Sequence, residues 1–231
     1  METFGAVDGP GVRLVVFLQG CPYRCIYCHN PESWSNKKTL RITTDGVLDL
    51  FNKNRTFYKN GGITLSGGEP LLHLDFCIEL AKKCLSQKIN LALDTSGCTF
   101  TKTNLRKFKQ LIKYKPLWLV DIKHINSKKH QYTTGVSHQY ELDLIKFLER
   151  QHQKYWIRQV IVPGVTDDKK DLKLLGKFIK NLKWMTRFEL LPYHKLAIKK
   201  YRELGIPYKI AKVIPPTKAQ VAKAKSIIQR V

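Results

Sequence analysis

The 231-residue sequence contains no apolar run of about 18 residues, so no membrane-spanning helix is predicted. Its first residues lack a basic stretch, an apolar core and a small-residue cleavage site. No signal peptide is therefore read there, and a cytoplasmic location is the expectation. No internal repeat and no Ser/Gly/Pro-rich linker divides the chain, so residues 1–231 are read as one domain. With 43% hydrophobic and 26% charged residues, disordered, collagen-like and low-complexity classes are excluded. Acidic residues are scarce. Asp and Glu number 18 against 41 Lys and Arg, a net charge of +23. Such a balance suits a nucleic-acid binder, but its distribution favours a lysine-rich surface. Lys102, Arg106, Lys107, Lys109, Lys113 and Lys115 fall on one predicted amphipathic helix, with Leu105, Phe108 and Ile112 as its buried face. Nucleic acid is not expected as a partner. An acidic protein or an anionic cofactor fits the charge equally well.

Six cysteines are present, an even number that could suggest disulfides. The missing leader and the spacing argue against that. Cys77 and Cys84, seven apart on a predicted helix, stand roughly 10 Å apart along its axis, beyond the roughly 7 Å that a disulfide spans between Cα atoms. Cys21, Cys25 and Cys28 lie in a C-x3-C-x2-C spacing. Three thiolates on a short loop suit three corners of a [4Fe–4S] cluster with one iron left open. A structural zinc wants four protein ligands, and His29, directly after Cys28, is poorly placed to be the fourth. Zinc and three free thiols remain the alternatives. Cys77, Cys84 and Cys98 are read as small apolar fillers.

Apolar runs rich in β-branched and aromatic residues occupy 12–18, 63–66, 90–94, 117–121, 155–162 and 187–191. Segments with helical periodicity separate them, with Thr44, Asp75, Thr103, Ser137, Asp167 and Thr217 as predicted caps. Six strands alternating with helices imply parallel crossovers, and six units are too few for a closed eight-unit barrel. The predicted architecture is α/β, an open partial (βα)6 barrel. Its site belongs at the carboxyl ends of the strands. The cysteine loop, Ser66-Gly67-Gly68-Glu69, Asp94-Thr95, Asp121 to Lys123 and Pro192-Tyr193-His194 all fall at such ends, while Arg158 lies within the fifth predicted strand.

Further strings make the pattern specific: Asp8-Gly9-Pro10-Gly11, Phe17-Leu18-Gln19-Gly20-Cys21-Pro22, Tyr27-Cys28-His29-Asn30-Pro31, Leu65 to Pro70, Leu93 to Gly97, Val120 to Lys123, Trp156-Ile157-Arg158 and Leu190 to His194. In this order, and nearly end to end, the chain resembles the glycyl-radical-enzyme activating enzymes of the radical S-adenosylmethionine (SAM) superfamily. The resemblance implies a [4Fe–4S] cluster that cleaves SAM, and a 5′-deoxyadenosyl radical that takes hydrogen from a backbone glycine of a partner enzyme. It implies that Gly67, Gly68 and Glu69 receive the SAM amino group. Tyr27, Cys28 and His29 would line the adenine side. Ile122, Lys123, Arg158 and His194 would complete the SAM site, and Asp94, Thr95 and Asp121 would hold a monovalent cation. Residues 30–41 carry no cysteine-bearing insertion, which points to a partner of the pyruvate formate-lyase type. A flavodoxin- or ferredoxin-like electron donor is implied as well. Two departures stand out. Leu119 replaces a common methionine, and only six residues precede Asp8 after Met1, where relatives begin with a short extra strand. His73, His124, His130, His138 and His152 show no ligand spacing and are read as surface residues. A radical SAM enzyme acting on a small molecule remains the alternative.

Overall fold

The computed structural model describes residues 1–35 and 40–231. The unbroken cysteine-free stretch 30–41 therefore lies partly outside the described residues. Seven strands form one sheet in chain order: β1 (Glu2–Gly5), β2 (Arg13–Leu18), β3 (Gly62–Gly67), β4 (Leu91–Thr95), β5 (Leu117–Asp121), β6 (Tyr155–Ile161) and β7 (Met185–Pro192). β1 runs antiparallel to β2, and β2 through β7 are parallel. Among the described residues β1 and β7 do not pair, so the barrel is open. The helices are α1 (Thr44–Lys53), α2 (Leu74–Ser86), α3 (Leu105–Leu111), α4 (Ser127–Thr134), α5 (Gln139–Arg150), α6 (Lys169–Lys180), α7 (Ile198–Glu203) and α8 (Lys218–Gln229). This is the open (βα)6 arrangement expected, with one strand added.

Parallel strands bury both faces and so read as continuous apolar runs. Trp118, Leu119 and Val120 of β5 are all fully buried. Alternation still separates the faces. Leu14, Val16, Ile63, Leu65, Leu93, Trp118, Val120 and Ile157 meet Leu80, Phe108, Leu148 and Leu175 from the helices in one core. In the register of the sheet, Ser66, Asp94, Asp121 and Arg158 belong to the opposite, concave face.

Three elements escaped the sequence reading. β1 is the short strand thought to be missing ahead of Asp8, and it pairs on one side only. α4 has no apolar stripe. It is held by Asn126, whose side chain accepts from Lys129 N, and by Gly135 at its end, φ 83°. α7 is only six residues long. Several caps also shift. Thr43 caps α1, because Thr44 Oγ1 donates to Glu79 Oε1 at 2.5 Å instead. Asp168 caps α6, while Asp167 accepts from Gly164 N. Thr101 opens the turn before α3, and Glu69 caps the 3-10 turn Pro70–His73 that leads into α2. Asp75 sits inside α2 and pairs with Lys107. Thr217 caps α8 as expected, in a capping box with Gln220.

Candidate functional site

The loop after β2 is tied down by backbone bonds on both sides. Gly20 N donates to Ser33 O at 2.8 Å, Glu69 N to Gly20 O at 2.8 Å and Gly68 N to Leu18 O at 2.9 Å. Two glycines make this approach possible. A Cβ on Gly68 would stand 2.0 Å from Gly20 O, and one on Gly67 (φ +112°) 2.4 Å from Leu18 N. Both glycines line the cleft, yet the space a side chain would invade is occupied by backbone, the end of β2 at Gly67 and the start of the cysteine loop at Gly68.

That loop, with the strand ends, encloses a cleft of about 400 Å³. Cys21, Cys25, Cys28, Tyr27 and His29 line it, as do Gly67, Gly68, Asp94, Thr95, Asp121, Lys123, Arg158 and His194. Cys25 is buried, and Cys21 and Cys28 are partly so. Burial raises the Cys25 thiol and pushes Cys28 up to about 11. A hydrogen bond from Cys98 draws Cys21 down despite burial. Cys28 Sγ also accepts from Asn30 N at 3.4 Å. Three soft sulfur donors on one loop, facing a cleft, form a donor set that fits an iron–sulfur cluster.

Across the cleft, Arg158 settles the repulsion between two carboxylates. Its Nη2 donates to Asp94 Oδ1 and its Nε to Asp121 Oδ1 at 3.3 Å. Lys123 Nζ lies 2.7 Å from Asp121 Oδ2, and Ser66 Oγ donates to Asp94 Oδ2 at 2.7 Å. Burial alone would raise Asp121, but Lys123 and Arg158 outweigh it and hold the carboxyl below its usual range. The cation between Asp94 and Asp121 in this structure is thus the guanidinium. Asp8 faces the same group of charges. Burial and Asp94 raise its carboxyl to about 6.

The remaining rim is aromatic. His29 stacks on His194, with ring centroids 3.8 Å apart, and its Nε2 lies 3.3 Å from His194 O. Burial, then His194, lower the His29 ring to about 4. Tyr27 is buried and donates from its hydroxyl to Lys123 O at 3.2 Å.

Two expected site residues do not reach the cleft surface. Glu69 is 1% exposed, and both of its oxygens are engaged internally. Oε1 accepts from Leu71 N at 3.1 Å and Thr95 Oγ1 at 2.5 Å. Oε2 accepts from Ser96 N at 3.0 Å and Ser96 Oγ at 2.8 Å. Ile122 is fully buried and donates from its backbone N to Arg158 O at 2.9 Å. Conversely, Asp8, Ser66 and Trp34 line the cleft without having been singled out as site residues. The alternation that places Asp94 on the concave face also places Ser66 there, two residues before Gly68. Trp34, beyond the cysteine loop, carried no such signal. His124 and His130, read as surface residues, are fully buried; His73 and His152 are exposed. Cys77 and Cys84 lie in the main core, but Cys98 packs with Tyr23 and Cys25 of the loop.

An open parallel barrel with three cysteines in the loop after its first parallel strand defines a 4Fe-4S single cluster protein, and the model of the 4Fe-4S single cluster domain matches residues 7–142. The chain belongs to the family of pyruvate formate-lyase-activating enzymes: it is 44% identical to that enzyme of Streptococcus mutans over 98% of this chain and 88% of the relative. A crystal structure of a domain of pyruvate-formate lyase-activating enzyme from Bacteroides vulgatus superposes with a TM-score of 0.60 at 28% identity, covering 74% of this chain and 94% of that one. The fold is shared more widely. Streptococcus suis SuiB, solved bound to S-adenosylmethionine, gives a TM-score of 0.69 at 18% identity over 98% of this chain and 47% of its own. No helix among the described residues is long and apolar enough to cross a membrane.

Proposed function

We propose that residues 1–231 act as one radical SAM unit that activates a pyruvate formate-lyase-like partner by removing hydrogen from one of its backbone glycines. The observation that carries this is the convergence of Cys21, Cys25 and Cys28 with Gly67, Gly68, Lys123, Arg158 and His194 on one cleft. The three thiols would hold a [4Fe–4S] cluster, leaving one iron for the amino and carboxylate groups of SAM. When bound, the cluster supplies the electron that cleaves SAM to methionine and a 5′-deoxyadenosyl radical, which takes the glycine hydrogen. His29 and His194 offer a flat stacked surface for the adenine, and Lys123 and Arg158 bring positive charge to the SAM carboxylate. Arg158 also holds Asp94 and Asp121 in place, and Asp94, Thr95 and Asp121 would be the ligands of a monovalent cation. Glu69 supports this rim from below by fixing Thr95 and Ser96. The open side of the barrel admits a polypeptide loop. A flavodoxin- or ferredoxin-like donor would reduce the cluster, and the net charge of +23 would speed encounter with an acidic partner.

The test mixes anaerobically reconstituted protein, a reductant, SAM and the partner. A glycyl-radical doublet in the partner, rising with 5′-deoxyadenosine and formate-forming activity, is expected. Production of 5′-deoxyadenosine with a small molecule alone, and no radical in any glycyl-radical enzyme, would replace this reading by the small-molecule one.

A further inference from the structure

His130 of α4 and Glu141 of α5 are both fully buried, yet neither reaches the cleft. His130 Nε2 lies 3.1 Å from Glu141 Oε2, and Nδ1 lies 2.8 Å from Val136 O. A carbonyl only accepts, so Nδ1 carries its hydrogen and Nε2 is the atom that meets the carboxyl. Thr134 Oγ1 donates to His130 O at 2.9 Å and accepts from Val136 N at 3.2 Å. These bonds join the last turn of α4, the Gly135 cap and the start of α5 into one unit.

The far side of that unit touches the cysteine loop. Arg24 N donates to Thr134 O at 2.8 Å and Ile26 N to Thr133 O at 2.9 Å. Cys25 lies between these two contacts and is 7% exposed. The ring of Tyr23 meets the His130 ring edge-on, with centroids 5.4 Å apart. The final carbonyls of a helix have no partners within it. Here they receive the backbone on either side of Cys25, and the buried pair one turn back keeps them in place.

We propose that the His130–Glu141 pair is the positioning element of the cysteine loop, acting through the Thr133 and Thr134 carbonyls. The inference rests on the proposed function only in naming what the loop holds, so the two are tested separately. The full chain is alkylated with iodoacetamide before cluster reconstitution, and each cysteine is followed by mass spectrometry. Glu141→Leu and His130→Phe should expose Cys25, raising its alkylation about tenfold, because a buried polar group left without its partner loosens its surroundings. Cys77 and Cys84, in the main core, should stay protected. Glu141→Gln, which offers an amide N–H to His130 Nε2, should match the unsubstituted chain. After reconstitution, iron loss to a chelator should be about tenfold faster in Glu141→Leu and unchanged in Glu141→Gln. Unchanged Cys25 protection in Glu141→Leu and His130→Phe would overturn the proposal. So would labelling of Cys77 and Cys84 together with Cys25, or Glu141→Gln behaving like Glu141→Leu. An unsubstituted chain that takes up no iron would instead sink the proposed function, while the alkylation pattern would still judge the pair.

Discussion

The two faces of the sheet are built from the same strands to opposite ends. Toward the helices, Trp118 and Val120 of β5 enter a core of packed apolar side chains. On the concave face the next residue, Asp121, meets Lys123 and Arg158 in a nearly closed network of charge. The first face is stabilised by volume and loss of water, terms without direction. The second depends on where each charge sits, because a buried charge that loses its partner is costly. A substitution should therefore be read by the face it lands on before its size is considered.

The sharpest break of that comparison lies among the cysteines. Cys25→Ala should abolish iron binding and activation outright while leaving the fold intact. Cys77→Ala, on the helix side, should keep iron and cost about 1 kcal/mol through a small cavity. Iron analysis and thermal unfolding of the two variants check both halves. A second contrast pairs Trp118 with Arg158. Trp118→Ala should cost about 3–5 kcal/mol by cavity formation, and Arg158→Leu a similar amount by leaving Asp94 without an ion pair and Asp121 with Lys123 alone. Their conservative variants should then diverge. Trp118→Phe should bind SAM normally. Arg158→Lys, which cannot span both carboxylates with a fixed fork, should bind it more weakly. Titration calorimetry with SAM on the reconstituted proteins decides between them.

Glu141 belongs to neither face, and its effect is one of pH. Burial, only partly offset by His130 and Lys123, raises its carboxyl to about 7 from an ordinary 4.5. Between those values the folded chain keeps a proton that the unfolded chain releases. Stability from this group therefore falls as pH rises, by on the order of 3 kcal/mol in all. Glu141→Gln should flatten that fall. Urea unfolding at pH 5 and pH 8 measures it, and parallel curves for the two proteins would contradict it.

The strands that form the barrel were legible because parallel strands announce themselves as apolar runs, and the rim because carboxyl ends collect polar residues. Asp94 and Asp121 at their strand ends followed from that rule alone. Elements without a stripe were not legible. α4 is polar along its length and exists by its caps and by His130, whose burial no local pattern betrays. The surroundings of the Glu69 side chain were hidden for a related reason. A carboxylate beside two glycines resembles a ligand in sequence, but the turn that follows rolls it inward onto Thr95 and Ser96. Likewise, the need for glycine at 68 was evident, whereas the atom that enforces it, Gly20 O, lies 48 positions earlier and is brought there by the fold.

The smallest effect is expected on the surface, where charge is plentiful and depends on neither face. The basic residues of α3 stand as the sequence suggested, with Arg106, Lys107 and Lys109 exposed and Phe108 buried beneath them. Lys107 pairs with Asp75 at 2.7 Å, but the two side chains are 47% and 80% exposed, so water screens the pair. Lys107→Ala should change stability by less than about 0.5 kcal/mol, and iron and SAM binding not at all. If these lysines steer an acidic partner, the same variant should slow activation slightly at low salt and not at high salt, where screening removes the attraction in both proteins. Activation rates at two ionic strengths, compared with urea unfolding, separate steering from stability. A slowing that persists at high salt would mean that Lys107 touches the partner directly, and the basic face of α3 would then be a contact surface rather than a source of diffuse charge.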